Sequence, residues 1–234
     1  MKRKKLLATH PAVIAVWAAV TVLVGFVPTT PIIGTRGRFD LSMAFYPLAG
    51  IFFGPWAGAI CAAIAAFIEG PLIPPPPLFG PISFVIPAIA ALVTGLAVQK
   101  RWIWPLVAIL APNLLWYILP LGREAWFYPL IELLGILAIA VGWVWGGDWL
   151  RSENRTKMFA GIFVAALTHC MVDHSWGNLI ALNMFALPKE IWLAALPIAP
   201  VERISFALGA AIIGVPLLVG LPRVGIAVGP KMYE

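Results

Sequence analysis

The densest group of chemically active side chains in this sequence is the run from Thr168 to Asn178, which lies inside a long apolar stretch. Its polar and aromatic members are Thr168, His169, Cys170, Asp173, His174, Ser175, Trp176 and Asn178. His169 and Asp173 are four positions apart and would share one helix face, while Cys170 and His174 would share the adjacent face. The spacing therefore indicates a polar stripe on an otherwise apolar helix.

Three kinds of chemistry fit this stripe. The one we prefer is a pocket for an organic ligand, with hydrogen bonds and stacking supplied by His169, Asp173, Trp176 and Asn178. A weaker alternative is a metal site of His169, Asp173 and His174, which would need further ligands from other helices. In the third, Asp173 only neutralises His169 or pairs with another helix. The preferred interpretation requires no metal and no cofactor.

The composition indicates that these residues lie in a membrane. Of the 234 residues, 62% are hydrophobic and only 11% are charged, whereas soluble domains carry about 25% charged residues. A chain that crosses lipid must satisfy its backbone hydrogen bonds internally, which leaves helices or a closed barrel. The apolar runs are continuous and of helical spanning length, with no strand-like alternation. We therefore predict an all-α, polytopic transmembrane helical bundle.

The apolar segments predict about eight transmembrane helices. They cover residues 11–28, 40–53, 56–69, 82–99, 103–120, 127–146, 158–178 and 201–221. A cytoplasmic N-terminus places nearly all basic clusters in cytoplasmic segments, where Lys and Arg are enriched; these clusters are Lys2 to Lys5, Lys100 with Arg101, residues 151–157, and Arg223 with Lys231. Arg36 and Arg38, in the first outer loop, are the exception. We expect a multi-pass protein of the cell membrane with both termini cytoplasmic and no nucleic-acid partner.

The connections suggest a single integral membrane domain over residues 1–234. Residues 1–10 are predicted to be a basic cytoplasmic N-terminus and residues 222–234 a cytoplasmic tail. Gly54-Pro55 predicts a tight turn, and the prolines of 70–81 predict an external, non-helical loop that could act as a lid. The last outer connection, 187–201, predicts a short interfacial helix.

Other candidates for the ligand site lie in separate apolar segments. A charge near the middle of a bilayer costs about 2.5 to 3.5 kcal/mol, so it needs a partner, a cavity or a function. We include Glu69, which borders the proline-rich loop, together with Asn113 and Trp116. For each of them, and for Glu132, the alternative is a contact between helices. Asp40 is expected to cap the second helix.

Two stretches resemble a known family. They are Phe39-Asp40-Leu41-Ser42 followed by residues 47–59, which read PLAGIFFGPWAGA, and Pro200-Val201-Glu202-Arg203-Ile204 followed by residues 212–218, which read IIGVPLL. They resemble the second, third and last helices of the substrate-binding S components of energy-coupling factor (ECF) transporters. Such proteins typically have six helices. The surplus here is a hairpin over residues 103–146, which leaves open whether that hairpin lines the pocket.

The resemblance implies a membrane-embedded subunit that captures a small micronutrient, such as a vitamin, a precursor or a metal, from outside. It also implies partners, namely a transmembrane coupling subunit and two ATPase subunits that hydrolyse ATP in place of this chain. In the family, small residues on the first helix dock the coupling subunit, and Ala12, Ala15 and Ala19 fit that pattern. The alternative for these alanines is ordinary packing between neighbouring helices.

Two other functions compete with the importer subunit. One is an intramembrane metal-dependent enzyme or protease that uses His169, Asp173 and His174. The other is a stand-alone secondary transporter that uses Asp173 or Glu132 for protons. The sequence has no H-E-x-x-H or G-x-S-x-G motif, and it shows no clear internal repeat. The importer subunit, which is not an enzyme, is therefore preferred.

Overall fold

The computed structural model describes residues 9–233, most of them in helices. The predicted basic cluster Lys2 to Lys5 lies outside the described residues. The helices are α1 (Pro11–Gly25), α2 (Tyr46–Leu72), α3 (Val85–Val98), α4 (Ile103–Ile118), α5 (Pro120–Glu124), α6 (Leu133–Val141), α7 (Gly147–Trp149), α8 (Arg155–Phe185), α9 (Lys189–Ala195) and α10 (Ile198–Gly220). Two short strands, β1 (Pro28–Pro31) and β2 (Arg38–Asp40), form an antiparallel hairpin.

Helix α2 reverses direction in its middle. Gly54 has φ of 75° and ψ of −169°, which is not helical and which a residue without Cβ adopts readily. A Cβ on Gly58 would lie 2.7 Å from the carbonyl oxygen of Ala49, so the residues on either side of Gly54 pack against each other. The turn predicted at Gly54-Pro55 is therefore present, and the two arms of α2 correspond to the predicted segments 40–53 and 56–69.

Helix α3 crosses this turn at very close range. A Cβ on Gly95 would overlap the backbone of Gly54 and Pro55, and Gly50 likewise faces the α3 backbone at Ala91. Backbone atoms cannot rotate out of the way as a side-chain tip can. The α2 turn and the end of α3 thus pack backbone against backbone, because glycine has no side chain that would separate them.

We expect Gly95→Ala to destabilise the folded protein by about 1 to 3 kcal/mol, because the added methyl group overpacks a backbone contact. Thermal unfolding in detergent, followed by loss of monodisperse protein, would measure the change. Gly220→Ala is the matched control, since a Cβ at Gly220 would meet nothing within 4 Å. Equal melting temperatures for the two variants would contradict the close packing described here.

The long helix α8 is the centre of the bundle. It begins at Asn154, whose side chain accepts hydrogen bonds from the backbone N–H groups of Thr156 and Lys157, as an N-cap residue does. It packs against α3, α4, α6 and α10, and its core face is fully buried at residues such as Ile162 and Met171. Its second half carries the polar stripe into the centre of the molecule.

Three connecting segments cover one end of the bundle. The β1–β2 hairpin packs on α9, since a Cβ on Gly34 would lie 2.6 Å from the Ile191 side chain. The proline-rich residues 73–79 lie beside them, and Phe79 stacks on Phe185 at the end of α8 with ring centroids 6.2 Å apart. We call this end of the bundle the covered end. The opposite end contains the Gly54 turn and residues 95–101.

The hairpin predicted at 103–146 leaves and rejoins the bundle at the opposite end. Lys100 Nζ and Asp148 Oδ1 form an exposed ion pair at 2.8 Å, and the Arg151 guanidinium donates to the backbone carbonyl of Val98 at 3.3 Å. Its returning helix contains a π-helical stretch, Gly142–Gly146, in which Gly142 lies against the buried ring of Trp102. The chain segments that enter and leave the hairpin therefore lie side by side.

Among residues 9–233, five helical stretches are long and apolar enough to span a membrane by length and composition alone, and one of them, α2, reverses direction at Gly54. They are Tyr46–Leu72, Gly80–Val98, Tyr128–Trp149, Arg155–Phe185 and Ile198–Val224, and the apolar helices Pro11–Gly25 and Ile103–Ile118 are shorter. The predicted all-α, polytopic bundle is confirmed, and each of the eight predicted segments contains helix. The number of actual crossings stays a prediction.

The interfacial helix predicted within 187–201 is present as α9, and Asp40 caps a 3-10 helix, Leu41–Ala44, which leads into α2. The 70–81 loop is shorter than predicted, because α2 continues to Leu72 and a 3-10 helix begins at Gly80. Pro71 lies in the last turn of α2, where its missing N–H cannot continue the helix, and α2 ends one residue later at Leu72. The β1–β2 hairpin was not predicted.

Candidate ligand-binding site

A cavity of about 270 Å³ lies beneath the three covering segments. Its floor and walls come from α2, α3, α8 and α10 and from Tyr128, and its cover comes from β1–β2, residues 73–79 and α9. The polar lining includes two arginines, Arg38 and Arg203, and four carboxylic acids, Asp40, Glu69, Asp173 and Glu202. Such a density of charge within a chain that is 11% charged marks this cavity as the candidate site.

One wall is a hydrogen-bonded group at the mouth of the α2 hairpin. Asp40 accepts from the Ser42 backbone N–H at 3.0 Å and from its hydroxyl. Glu69 Oε2 accepts from the Tyr46 hydroxyl, and the Ser42 hydroxyl lies 3.5 Å from it. Burial raises the pKa of the Asp40 carboxyl above its ordinary value, and the hydrogen bonds from Ser42 partly offset this. The acids of this wall are thus mostly satisfied within the protein.

The facing wall is built around Arg203 at the start of α10. Its guanidinium carbon lies 4.5 Å from the centre of the Phe39 ring, a cation–π contact. Its Nη1 lies 3.8 Å from Asp173 Oδ2, which is too far for a hydrogen bond, and Arg203 is only 4% exposed. Within the described part of the chain, Nε and Nη1 of Arg203 and Nε of Arg38 have no hydrogen-bond partner. Buried donors without acceptors are costly, so this wall is suited to a ligand that supplies acceptors.

A third polar group lies on α8 beside Asp173. His174 Nδ1 lies 2.7 Å from Glu132 Oε1, and both side chains are almost fully buried. His174 Nε2 lies 3.3 Å from the Tyr128 hydroxyl and 3.1 Å from the amide nitrogen of Asn178. Both Tyr128 and Asn178 line the cavity. The buried contact between Glu132 and His174 thereby connects to two groups that face the ligand space.

Aromatic rings pack against Tyr128. Tyr128 packs against both Trp116 and Trp192, with ring centroids 6.0 Å and 4.8 Å away, and the two tryptophan rings also contact each other at 4.9 Å. Trp192 belongs to α9, and its indole N–H donates to the Leu187 carbonyl at 3.1 Å. These rings fix the position of Tyr128, because three mutually packed aromatic side chains leave little rotamer freedom.

The structure brings only some of the predicted site residues to the cavity. Asp173, Asn178 and Glu69 line it, as does His174. His169 does not, because it is fully buried on the face of α8 towards α3, where its Nδ1 lies 3.3 Å from Thr94 Oγ1. Of the two histidines, His174 thus lines the cavity and His169 does not, and Asp173 contacts Arg203 rather than His169.

Three other predicted residues lie outside the cavity lining. Trp176 is partly buried against the core. Asn113 donates to the Ile109 carbonyl at 2.6 Å and approaches the Ser175 hydroxyl at 3.4 Å, so it acts as a contact between helices. Trp116 is 3% exposed and supports Tyr128 without facing the cavity. All three belong to the surroundings of the site rather than to its surface.

The weaker metal alternative finds no support in the geometry. His169 faces Thr94, Asp173 faces Arg203 and His174 faces Glu132, so the three side chains have separate partners. Among the described residues, no group of three or more His, Cys, Asp or Glu side chains is arranged to hold a metal ion.

Several cavity residues were not predicted, namely Arg38, Phe39, Tyr46, Tyr128, Trp192 and Arg203. A signal existed for Arg38, since it was the exception to the charge rule and a basic residue on the outer side needs its own explanation. A buried Arg203 next to Glu202 in an apolar helix was a similar signal. Nothing in the spacing singled out Tyr128 among the many aromatic residues.

The predicted docking residues lie on an open face of α1. Ala12, Ala15 and Ala19 are all exposed, whereas Trp17 and Ala18 on the other side of the helix are buried. Leu23 extends the same open face and is 66% exposed. This face therefore has room for close approach by another helix or by lipid.

The chain is similar in sequence to known proteins. An uncharacterized protein of Methanocaldococcus jannaschii is 25% identical over 172 residues, which cover 74% of this chain and 58% of that relative. The chain therefore spans less than two thirds of the relative's length, and no solved structure matches it. Residues 6–104 match the family described as ECF-type riboflavin transporter, S component. This match confirms, over those residues, the resemblance to the S components of ECF transporters, which are transporter subunits rather than enzymes.

Proposed function

We propose that this chain is the substrate-binding subunit of an ATP-driven ECF importer and that it captures a small micronutrient in the cavity beneath β1–β2, residues 73–79 and α9. The observation that carries the proposal is Arg203, a buried guanidinium that lines the cavity and leaves two nitrogens without acceptors among the described residues. In a low-dielectric site such donors favour a ligand with acceptor oxygens or nitrogens.

The distribution of charge supports an outward-facing cavity. The basic residues Lys100, Arg101 and Arg151 lie at the end of the bundle opposite the cavity, beside the Gly54 turn and the Lys100–Asp148 ion pair. Short segments rich in Lys and Arg prefer the cytoplasm. The covered end, with the proline-rich loop, then faces outside, where an importer must receive its substrate.

The lining favours a planar ligand with polar edges. Aromatic side chains at Phe39 and Trp192 line the cavity, while Arg203 offers donors. The description of the matched family names riboflavin, whose fused ring is planar and carries carbonyl acceptors along one edge. Riboflavin is therefore our first candidate, and other planar micronutrients are the alternatives.

The full-length protein should retain its ligand when it is extracted in detergent. We expect mass spectrometry of the denatured sample to release one small molecule in near-stoichiometric amount. Apoprotein should then bind riboflavin with submicromolar affinity, measured by quenching of flavin fluorescence. A protein that releases no small molecule and that binds neither riboflavin nor a panel of other vitamins would contradict the proposed function.

The proposed partners are a transmembrane coupling subunit and two ATPase subunits. The open alanine face of α1 supports this part of the proposal, since small residues let a partner helix approach closely. A lipid-facing α1 is the alternative, and uptake measurements on variants of this face separate the two.

A further inference from the structure

We infer that the extra hairpin between α3 and α8 determines ligand specificity through the Tyr128 hydroxyl, with Glu132 and His174 as its positioning residues. The inference rests on the proposed function, because it assumes that the cavity binds a ligand. It also decides whether this hairpin contributes to the pocket, a question that the sequence left open.

Tyr128 is the residue of the hairpin that reaches the cavity. The segment from Ile103 to Trp149 carries many side chains exposed on the bundle surface, such as Leu114 and Leu137, which is the expected surface of a helix in lipid. Tyr128 is instead 4% exposed to solvent and lines the cavity beside His174 and Asn178. It occupies a turn of 3-10 helix, Tyr128–Glu132, which begins the returning arm of the hairpin.

The same turn supplies the group that orients the tyrosine. A carboxylate oxygen can only accept, so the 2.7 Å contact with Glu132 Oε1 places the imidazole proton of His174 on Nδ1. His174 Nε2 then has one lone pair, which accepts from the Tyr128 hydroxyl at 3.3 Å, since the Asn178 amide nitrogen lies 3.1 Å from both ring nitrogens and is directed at neither. The lone pairs of the Tyr128 oxygen remain available to the cavity.

Polarity at this position is difficult to explain by packing alone. Glu132 and His174 are 3% and 4% exposed, and their contact joins α8 to the hairpin. Apolar side chains of similar volume would pack there without the cost of removing polar groups from water. The pair connects through Nε2 to the Tyr128 hydroxyl on the cavity wall. A role in specificity accounts for that connection, because the Tyr128 hydroxyl can select one ligand group only if its position is fixed.

The position of Tyr128 indicates the ligand group that it reads. Asp173 and His174 are adjacent on α8, so the Arg203 donors and the Tyr128 oxygen serve neighbouring parts of one ligand edge. Arg203 donates to an acceptor, while the Tyr128 oxygen accepts from a donor. An amide- or imide-type edge, with an N–H beside a carbonyl, satisfies both.

The test compares riboflavin with 3-methylriboflavin, in which a methyl group replaces the imide hydrogen, in fluorescence titrations of the purified full-length protein. Wild type should prefer riboflavin. We expect Tyr128→Phe to weaken riboflavin binding about 10-fold, the loss typical of one buried hydrogen bond, and to leave the binding of 3-methylriboflavin unchanged. The control is Tyr117→Phe, which removes a hydroxyl on the same hairpin that bonds to the Trp126 carbonyl at 2.9 Å, and it should bind both flavins as wild type does.

Glu132→Met, which removes the acceptor for the Nδ1 proton of His174, separates positioning from simple stabilisation of the fold. It should lower the preference for riboflavin over 3-methylriboflavin to the same extent as Tyr128→Phe, and the double variant should show no further loss. Independent, additive losses would overturn the positioning role, and unchanged flavin preference in Tyr128→Phe would overturn the inference while leaving the proposed function intact. Binding of neither flavin by wild type would overturn the flavin assignment and this inference together.

Discussion

Arg203→Met should reduce riboflavin affinity about 100-fold or more. The substitution keeps much of the side-chain volume but removes the donors of a guanidinium that is 4% exposed and faces the cavity. Loss of one member of a buried charge pair costs about 2 to 5 kcal/mol, part of which is the penalty for leaving the other charge unpaired. Fluorescence titration of the purified variant would measure the loss.

Two further variants distinguish ligand contact from the structural pairing with Asp173. Arg203→Lys keeps the positive charge but loses the planar donor fork, so it should bind riboflavin poorly while folding normally. Arg203→Met combined with Asp173→Asn removes both charges of the pair and should recover thermal stability without recovering affinity. Wild-type affinity in either variant would show that Arg203 has only a structural role.

Substitution of Ala15 and Ala19 by leucine should abolish vitamin uptake by cells that carry the complete importer. Both alanines are exposed, so the larger side chains leave the core of this chain undisturbed. They would prevent a partner helix from approaching α1 closely, because small residues are what permit such contacts. Uptake of labelled riboflavin, and co-purification of the chain with the coupling subunit, would both be lost.

The control for docking is Ala140→Leu, an equivalent change at an exposed alanine of α6. It should leave uptake and co-purification at wild-type levels, and all of these variants should bind riboflavin normally in detergent. Normal uptake by the Ala15→Leu, Ala19→Leu double variant would exclude this face as the docking surface and would favour a lipid-facing α1.

The transmembrane helices could be predicted because hydrophobic runs, prolines and glycines act locally. The reversal at Gly54 follows from a glycine and a proline that interrupt one apolar stretch, and α9 follows from an amphipathic patch between prolines. The β1–β2 hairpin was missed since its strands are short and contain proline, which is depleted in strands. Local chemistry thus predicted the helices better than the segments that cover them.

The site was only partly predictable for a geometric reason. The spacing of His169, Asp173 and His174 correctly placed them on neighbouring faces of one helix, but spacing does not give the rotation of that helix. A difference of five positions along α8 separates His169, buried against Thr94, from His174 beside the cavity. The partners Arg203 and Tyr128 are distant in sequence, and only the packing of α10 and the extra hairpin on α8 brings them to Asp173 and His174.

The contact between Lys100 and Asp148 has a consequence for how this chain could be shortened. Because the two residues meet at 2.8 Å, the 47 intervening residues of the hairpin form a closed excursion from the rest of the bundle. A few glycines could join its two ends without redirecting α3 or α8. Such a segment can be gained or lost as a unit. A pocket that takes the Tyr128 side chain from it can then change its ligand while the remaining helices keep their paths.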